Sequence, residues 1–227
     1  MAAKKTVGVI GAGAWGTGFA QALARGGHDV TLWALEDDVV SSINNEHENK
    51  KFLPGFKLEQ NLTASSNIEQ VASKCEFLIF ASPSLYLAPT LKKITSLPNI
   101  ADGSVNIGVL TKGFVPSDDG PKLIVETMES VLPEVYKGSV CYISGPSHAE
   151  EVALGKITGL VAASENPKIS IRFRELMRVP GLMAYSSFDV VGVQICAAAK
   201  NIIAVVYGAL DAISETSDIF GDNAESL

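Results

Sequence analysis

A short apolar strand that runs directly into a glycine-rich turn constrains this chain more than any other feature. The strand at 6–10 is followed by Gly11, Gly13 and Gly16 in the spacing Gly-x-Gly-x-x-Gly, and residues 17–25 then read as a helix. Gly11 allows a tight turn, Gly13 lets the backbone approach a pyrophosphate, and Gly16 lets the helix pack closely on the strand. The pattern therefore predicts a dinucleotide site at a helix N-terminus, although an ordinary glycine turn stays an alternative.

Strand and helix patterns alternate over the first three quarters of the chain, which is typical of a parallel sheet with helices on both faces. The clearest helices are expected at 17–25, 123–131 and 169–177. The candidate strands are 6–10, 29–33, 62–64, 77–80, 105–110, 140–143, 159–163 and 183–186. The predicted fold class is α/β, with a Rossmann-type, doubly wound and mainly parallel sheet, followed by the start of an all-α C-terminal domain.

The composition and net charge restrict the classes of partner that the chain can bind. Hydrophobic residues make up 47% of the 227 residues and charged residues 19%, so the chain can bury a sizeable core. The net charge of −7 argues against nucleic acid as a partner. An anionic substrate would need a local cluster of positive groups.

The cysteines and histidines are few and scattered. Cys75, Cys141 and Cys196 lack any C-x-x-C spacing, and we expect buried, reduced thiols in a cytoplasmic protein. The three histidines do not suggest a metal site either. The N-terminus leads into a strand that is too short for a signal-peptide core.

The composition changes near residue 189, where a long apolar helix begins at 190 and runs to about 213. Lys200 and Asn201 lie in its middle, and a central lysine costs about 2.5–3.5 kcal/mol on the membrane-insertion scale. We therefore expect a buried core helix and no membrane insertion. Residues 1–188 are expected to form the dinucleotide-binding domain, and 189–227 the beginning of a helical substrate domain that is truncated or completed by another chain.

Several residues at predicted strand ends are candidates for cofactor binding. Glu36 follows the second strand, where a carboxylate binds the ribose hydroxyls of NAD and repels the 2′-phosphate of NADP; a solvated first-turn glutamate is the alternative. Trp15 either covers the cofactor or packs under the turn. Pro83 and Tyr86 belong to the loop after the fourth strand, which either lines the cofactor crevice or only connects two elements.

Other strand ends offer candidate catalytic and substrate-binding groups. Lys112, after the fifth strand, is placed to hold an anion or a carbonyl, although exposed turn lysines are common. Ser147 and Glu150 have the spacing of a capping box at a helix start that also offers N–H groups to a phosphate. Lys200 shares a helix face with Val193, and desolvation there would make its ammonium a usable acid; snorkelling to the surface is the alternative.

Taken in order, these motifs resemble the NAD(P)-dependent glycerol-3-phosphate dehydrogenase family. The matching segments run the whole length of the chain. They are residues 11–17, Asn49 with 52–55, 111–113, 144–147, 192–194, 199–201 and 221–223.

The resemblance implies reversible reduction of dihydroxyacetone phosphate, a phosphorylated triose, to sn-glycerol 3-phosphate for phospholipid synthesis. It implies a homodimer when the protein is full length. Lys200 falls on the family's proton donor and acceptor, and Lys112 on a lysine that contacts substrate and cofactor. The other implied contacts are Gly145, Ser147 and Asn201 for the substrate, and Ala14, Trp15 and Ala149 for the cofactor.

Three departures from the family pattern matter. Leu35 stands where many bacterial members carry His or Arg, so with Glu36 beside it we expect NADH to be preferred over NADPH. Residues 215–218 lengthen a loop that is usually short. Family members are about a hundred residues longer, and the missing part carries an Asp that partners the lysine and an Arg-Asn pair for the phosphate. We therefore expect a fragment that folds its cofactor domain and catalyses poorly.

Two alternatives to the dehydrogenase stay open. One is a related 3-hydroxyacid or 6-phosphogluconate-type dehydrogenase, which Lys200-Asn201 after Ser144-Gly145-Pro146 disfavours. The other is a non-catalytic dinucleotide-binding module, which the missing Arg and Asp would permit.

Overall fold

The computed structural model describes residues 3–216, with side chains described as far as Ile213. The described strands are β1 (Thr6–Ile10), β2 (Asp29–Trp33), β3 (Leu62–Ser65), β4 (Phe77–Phe80), β5 (Asn106–Val109), β6 (Cys141–Ser144), β7 (Thr158–Ala163) and β8 (Leu182–Ser187). The described helices are α1 (Ala14–Arg25), α2 (Asp37–Glu46), α3 (Ile68–Ser73), α4 (Ser84–Lys92), α5 (Pro98–Ala101), α6 (Ile124–Glu129), α7 (Ala149–Ala153), α8 (Pro167–Leu176) and α9 (Val190–Thr216).

The strands form one sheet in the order β3-β2-β1-β4-β5-β6-β7-β8. The pairs from β3 to β6 are parallel, β7 runs antiparallel to β6, and β8 is parallel to β7. Ile10 at the end of β1 lies opposite both Trp33 and Phe80, so the carboxyl ends of three strands meet at one edge. The prediction of a doubly wound, mainly parallel Rossmann-type sheet is confirmed.

Two apolar cores lie on opposite faces of the sheet. All four residues of β4 are buried: Phe77 and Ile79 point into the core with α1, α2, α7 and α8, and Leu78 and Phe80 into the core with α3 to α6. Successive strand residues point to opposite faces, so a strand covered on both sides must be apolar throughout. This explains why β4 reads as a continuous apolar run.

The predicted strands and helices are present, with ends that differ by a few residues. The predicted helix at 190–213 is α9, but the expectation that it is a buried core helix is wrong for most of its length. Val190, Gln194 and Ala197 are buried against the sheet, whereas residues 201–213 are exposed. Only the first part of α9 packs beside β6 and β7, so the rest is left outside the core.

Within Val190–Ile213 a window of 18 residues has a mean hydropathy of 1.8, and the segment is long and apolar enough to cross a membrane by length and composition alone. Its buried start packs within the protein. The predicted long loop at 215–218 begins inside α9, and its residues 217 and 218 lie outside the described residues, as does the motif at 221–223. The proposed boundary between residues 188 and 189 stays a prediction.

The three cysteines are free, as expected, but they are not all buried. Burial raises the pKa of the Cys75 thiol to about 12, and it raises the pKa of Cys141 as well. Cys196 is exposed because it lies on the part of α9 that borders a cavity. Within residues 3–216, no three His, Cys, Asp or Glu side chains are grouped to hold a metal ion.

Candidate functional site

The turn after β1 and the first turn of α1 form a cradle, residues 11–16, at the carboxyl edge of the sheet. Gly11 has a left-handed φ of 121°, and a Cβ on it would lie 2.9 Å from the backbone of Ala81. A Cβ on Gly16 would lie 2.0 Å from the carbonyl oxygen of Gly11, so close packing requires both glycines. Gly13 has an extended backbone, and a Cβ there would meet no described atom within 4 Å. The fold does not require glycine at 13, whereas close approach of a pyrophosphate does.

The cradle lies at the topological switch point of the sheet, between β1 and β4, where ligands bind in open α/β folds. Thr111 Oγ1 donates a hydrogen bond of 2.7 Å to the carbonyl oxygen of Ser82, which joins the loops after β5 and β4. The Ser82 hydroxyl is buried and has no hydrogen-bond partner among the described residues. Such a group costs about 1–3 kcal/mol. It is therefore suited to bond a bound ligand, and the sequence did not single it out.

Asn49 holds the cradle in place, a role that could not be predicted from its place in the family pattern. Its side chain is fully buried, and Nδ2 donates to the Ala12 carbonyl oxygen and to Thr17 Oγ1, both at 2.8 Å. Its Oδ1 accepts a bond from the Phe52 amide at 3.1 Å. An amide side chain is needed because the site requires both a donor and an acceptor. The run from Asn49 to Gly55 is thus fastened to the cradle.

Glu36 lies at the carboxyl end of β2, beside the cradle, where an acidic residue reaches the adenosine ribose in this fold. It is the N-cap of α2 but makes no side-chain capping bond. Instead, its Oε1 lies 3.2 Å from Lys51 Nζ. Leu35 is 74% exposed and offers no charge to a 2′-phosphate.

Three of the proposed cofactor contacts lie at helix starts. Ala14 is the first residue of α1 and Ala149 the first of α7. A Cβ on Gly18 would lie 2.7 Å from the Ala149 carbonyl oxygen, so glycine lets α7 approach α1 closely. The Trp15 ring is half-buried, contacts Phe19 at 6.0 Å between centroids, and keeps its Nε1 buried without a described partner. Both sequence interpretations of Trp15, a packing role and a site role, are compatible with this position.

Pro83 and Tyr86 lie in the loop and first turn after β4. Pro83 is the N-cap of α4, and the Tyr86 amide donates to its carbonyl oxygen. Tyr86 is 63% exposed, so its ring is available at the surface rather than packed in the core. The loop does begin at the switch point, next to the cradle.

A cavity of about 420 Å³ opens beside the cradle. Its walls come from the ends of β5 and β6 and from the start of α9. They include Lys112, Gly145, Asp189, Cys196 and Lys200. The structure therefore brings together both predicted catalytic lysines and one predicted substrate contact.

Two lysine side chains line the cavity together with one carboxylate, that of Asp189. Burial lowers the pKa of the Lys112 ammonium, and the charge of Lys200 lowers it further. Lys112 Nζ also lies 5.8 Å from the centroid of the Trp15 ring, which links it to the cradle. Lys200 is half-buried, so it is neither enclosed in the core nor fully in solvent. Two ammonium groups facing one cavity favour an anionic ligand.

The predicted capping box at Ser147 and Glu150 is wrong. Helix α7 begins at Ala149 with His148 as its N-cap, and no side chain among the described residues caps it. Ser147 Oγ instead donates to the Gly145 carbonyl oxygen at 3.3 Å, because the chain turns back on itself before the helix starts.

The remaining predicted substrate contacts are placed less directly. A Cβ on Gly145 would lie 2.3 Å from the Gly159 carbonyl oxygen, so this glycine is also required by strand packing. Ser147 is buried next to the cavity wall, and Asn201 is exposed on α9 just beyond Lys200. Neither side chain is among the residues that line the cavity.

Polar anchors fix the start of α9. Asp189 Oδ1 accepts a bond of 2.7 Å from the Gly192 amide, as an N-cap does. Gln194 is 1% exposed; its Nε2 donates to the Val190 carbonyl oxygen and its Oε1 accepts from the Val125 amide at 2.9 Å. Val125 lies in α6, and the loop that carries Lys112 leads from β5 into this helix. Gln194 therefore connects α9 to the segment that follows Lys112. A glutamine within an otherwise apolar stretch is the sequence signal that could have predicted this anchor.

The strand order, the glycine cradle at the switch point and the space above Gly13 define the class, a Rossmann-type dinucleotide-binding protein. Residues 6–170 match the family model for the N-terminus of NAD-dependent glycerol-3-phosphate dehydrogenase. The chain therefore belongs to that family.

Related proteins agree with this assignment. The chain is 49% identical over 227 residues to glycerol-3-phosphate dehydrogenase [NAD(P)+] of Treponema denticola, covering 97% of this chain and 64% of that protein. It is 36% identical to the protein of the same name from Bacillus velezensis, covering 98% of this chain and 61% of that protein. The crystal structure of glycerol-3-phosphate dehydrogenase from Coxiella burnetii superimposes with a TM-score of 0.81 at 29% identity, covering 95% of this chain and 63% of that one. The chain thus spans less than two thirds of the length of these relatives.

Proposed function

We propose that this chain carries the cofactor site and the two reactive lysines of an NAD(H)-dependent oxidoreductase that interconverts dihydroxyacetone phosphate and sn-glycerol 3-phosphate. The observation that carries the proposal is that Lys112 and Lys200 face one cavity beside the cradle. A cation pair next to a dinucleotide site suits a substrate that has both a carbonyl and a phosphate.

The residues present fit the dinucleotide. The open space above Gly13 would accommodate a pyrophosphate on the N–H groups of α1, and the Glu36 carboxylate would accept bonds from ribose hydroxyls. When bound, the nicotinamide supplies the hydride for reduction of the carbonyl carbon or accepts it in the reverse direction. With Leu35 uncharged, we expect NADH to be preferred over NADPH.

The two lysines have different roles in the reaction. In the reducing direction the Lys200 ammonium gives a proton to the carbonyl oxygen and is left neutral, so an alcohol forms without a free alkoxide. Lys112 stabilises negative charge on that oxygen or on the nearby phosphate. Burial of Lys112 strengthens this effect, because charges interact more strongly away from water.

The experiment follows NADH absorbance with dihydroxyacetone phosphate as substrate, for the parent chain, Lys200→Ala and Lys112→Ala. The parent chain is expected to turn over slowly, and we expect Lys200→Ala to lower that turnover by about a further 10²–10⁴ while NADH binding is retained. Lys168→Ala, an exposed lysine on α8, is the matched control and should change neither quantity. A parent chain that binds NADH but whose turnover is the same with and without Lys200 would support a non-catalytic binding module instead.

The proposal extends to the compartment, the oligomeric state and the metabolic role of the protein. We infer a cytoplasmic enzyme that works as a homodimer at full length and supplies glycerol 3-phosphate for phospholipid synthesis. Free cysteines and an acidic net charge of −7 support a reducing compartment and a small-molecule partner rather than nucleic acid. The packing of Val190, Gln194 and Ala197 against the sheet supports a protein environment for α9 rather than a membrane. Light scattering of the purified protein tests the dimer.

A further inference from the structure

An ion pair stands at the point where the adenosine ribose of a dinucleotide lies in this fold. Glu36 Oε1 and Lys51 Nζ are 3.2 Å apart, and both side chains are partly exposed beside the cradle. In this class of protein a carboxylate at the end of the second strand binds the ribose 2′-hydroxyl, and a nearby cation accommodates a 2′-phosphate. Here the two kinds of group occur together.

The backbone around Lys51 is fixed to the cradle rather than free to move with solvent. Buried Asn49, two residues earlier, donates to the Ala12 carbonyl oxygen within the cradle and accepts from the Phe52 amide. Lys51 Nζ also lies 5.3 Å from the centroid of the Phe52 ring. The ammonium is therefore held on the side of the loop that faces Glu36.

The adjacent lysine shows that this placement is specific to position 51. Lys50 is exposed to a similar extent but pairs with Glu46, four residues earlier along α2 and outside the cradle. The two lysines carry the same charge on neighbouring residues, and only Lys51 contacts Glu36.

We propose that Lys51 is a specificity-determining residue: it neutralises Glu36 and offers a cation to a 2′-phosphate, so that the site tolerates NADPH beside its preferred NADH. This inference rests on the proposed function, because it assumes a dinucleotide in the cradle. With NADH, Glu36 accepts bonds from the ribose hydroxyls. With NADPH, the Lys51 ammonium contacts the phosphate and offsets its repulsion by Glu36.

The test compares dissociation constants of NADH and NADPH, titrated separately through coenzyme fluorescence, for the parent chain and three variants. We expect Lys51→Ala to weaken NADPH binding about tenfold, the size of a hydrogen bond to a charged group, and NADH binding less than twofold. Glu36→Gln should strengthen NADPH binding relative to NADH. Lys50→Ala is the matched control and should leave both constants unchanged.

Every other outcome contradicts either the role of Lys51 or the proposed function. Equal effects of Lys51→Ala on both coenzymes, or the same effect from Lys50→Ala, would overturn the role of Lys51 and leave the proposed function intact. A parent chain that binds NADH but shows no NADPH binding would also overturn it. Failure of the parent chain to bind either coenzyme would overturn the proposed function, and the inference with it.

Discussion

Helix α1 starts at the cradle and helix α9 starts beside the cavity, yet the protein holds the two helices in different ways. In α1, nine of 12 residues are buried, and glycines at 16 and 18 let neighbouring backbone approach closely. In α9, residues 201–213 are exposed, and the helix is held at its start by the side chains of Asp189 and Gln194. The cofactor helix is thus fixed by packing along most of its length, whereas the lysine-bearing helix is held only at its start, by a few hydrogen bonds and the burial of Val190 and Ala197.

The difference separates two kinds of sensitivity. Changes around α1 should alter folding and coenzyme binding together, because a close-packed core transmits strain. Changes at the start of α9 should move Lys200 relative to Lys112 with less effect on stability. Substitutions at Gly16, Asn49, Gln194 and His28 test this separation, with effects that decrease in that order.

The largest effect is expected for Gly16→Ala. The added Cβ would lie 2.0 Å from the carbonyl oxygen of Gly11, which is backbone and cannot rotate away. We expect a loss of about 3 kcal/mol or more in the free energy of unfolding. Gly13→Ala is the matched control in the same turn, and its stability should stay within about 0.5 kcal/mol of the parent. Denaturant unfolding measures both variants, and equal losses would contradict the packing account.

A smaller loss is expected for Asn49→Leu. The substitution leaves the Ala12 carbonyl oxygen without this donor and the Phe52 amide without its acceptor inside the protein. We expect the free energy of unfolding to fall by about 2–3 kcal/mol, and NADH affinity to fall because the cradle loosens. Asn45→Leu, on the exposed side of α2, should change neither by more than experimental error. An unchanged NADH affinity in Asn49→Leu would show that the cradle holds its shape without this side chain.

Gln194→Leu tests the other helix. It removes the acceptor for the Val125 amide and so detaches α9 from the segment that carries Lys112. We expect turnover to fall about tenfold through misplacement of Lys200, with the KM for NADH unchanged. Steady-state kinetics separates the two constants. If stability falls and turnover does not, Gln194 has a structural role only.

The smallest effect concerns pH and the far end of α1. His28 is buried; its Nδ1 accepts from the Lys5 amide and its Nε2 bonds to the Leu176 carbonyl oxygen. This arrangement requires the neutral ring, and burial lowers the pKa of His28 below its ordinary value of 6.5. As pH falls below 6.5, His28 therefore binds a proton in the unfolded chain before it does so in the folded chain. The contribution of His28 to the free energy of unfolding is fully present above pH 6.5 and is lost as pH falls.

Free energies of unfolding at pH 7.5 and 5.5 measure this dependence. The parent chain should lose stability between these values, and His28→Gln should lose less. His148→Gln, at an exposed position, should behave as the parent does. An identical pH dependence in His28→Gln would rule out His28 as its source.

Local patterns predicted most of the fold. The apolar runs of β1 and β4, the glycine spacing and the alternation of elements are set by neighbouring residues, so the sheet and its crevice were predictable. The capping box at Ser147 and Glu150 failed because a local hydrogen bond to Gly145 competes with the cap. The prediction that α9 is buried was wrong for most of its length, because an apolar composition does not specify which part of the protein packs against a helix.

The site was predictable only where its residues follow strands. Lys112 and Glu36 could be proposed as site residues because strand ends meet at one edge of a parallel sheet. The structural roles of Asn49, Ser82 and Gln194 were not predicted, because they depend on contacts between segments that are far apart in sequence.

The NADH affinity of Gly13→Ala against that of the parent chain, measured by calorimetric titration, tests most directly whether the dinucleotide lies above Gly13. We expect the parent to bind NADH saturably and Gly13→Ala, with its fold and stability retained, to bind at least about tenfold more weakly. Its Cβ enters space that no described protein atom fills within 4 Å. An unchanged affinity in a folded Gly13→Ala variant would contradict the claim that this space holds the dinucleotide.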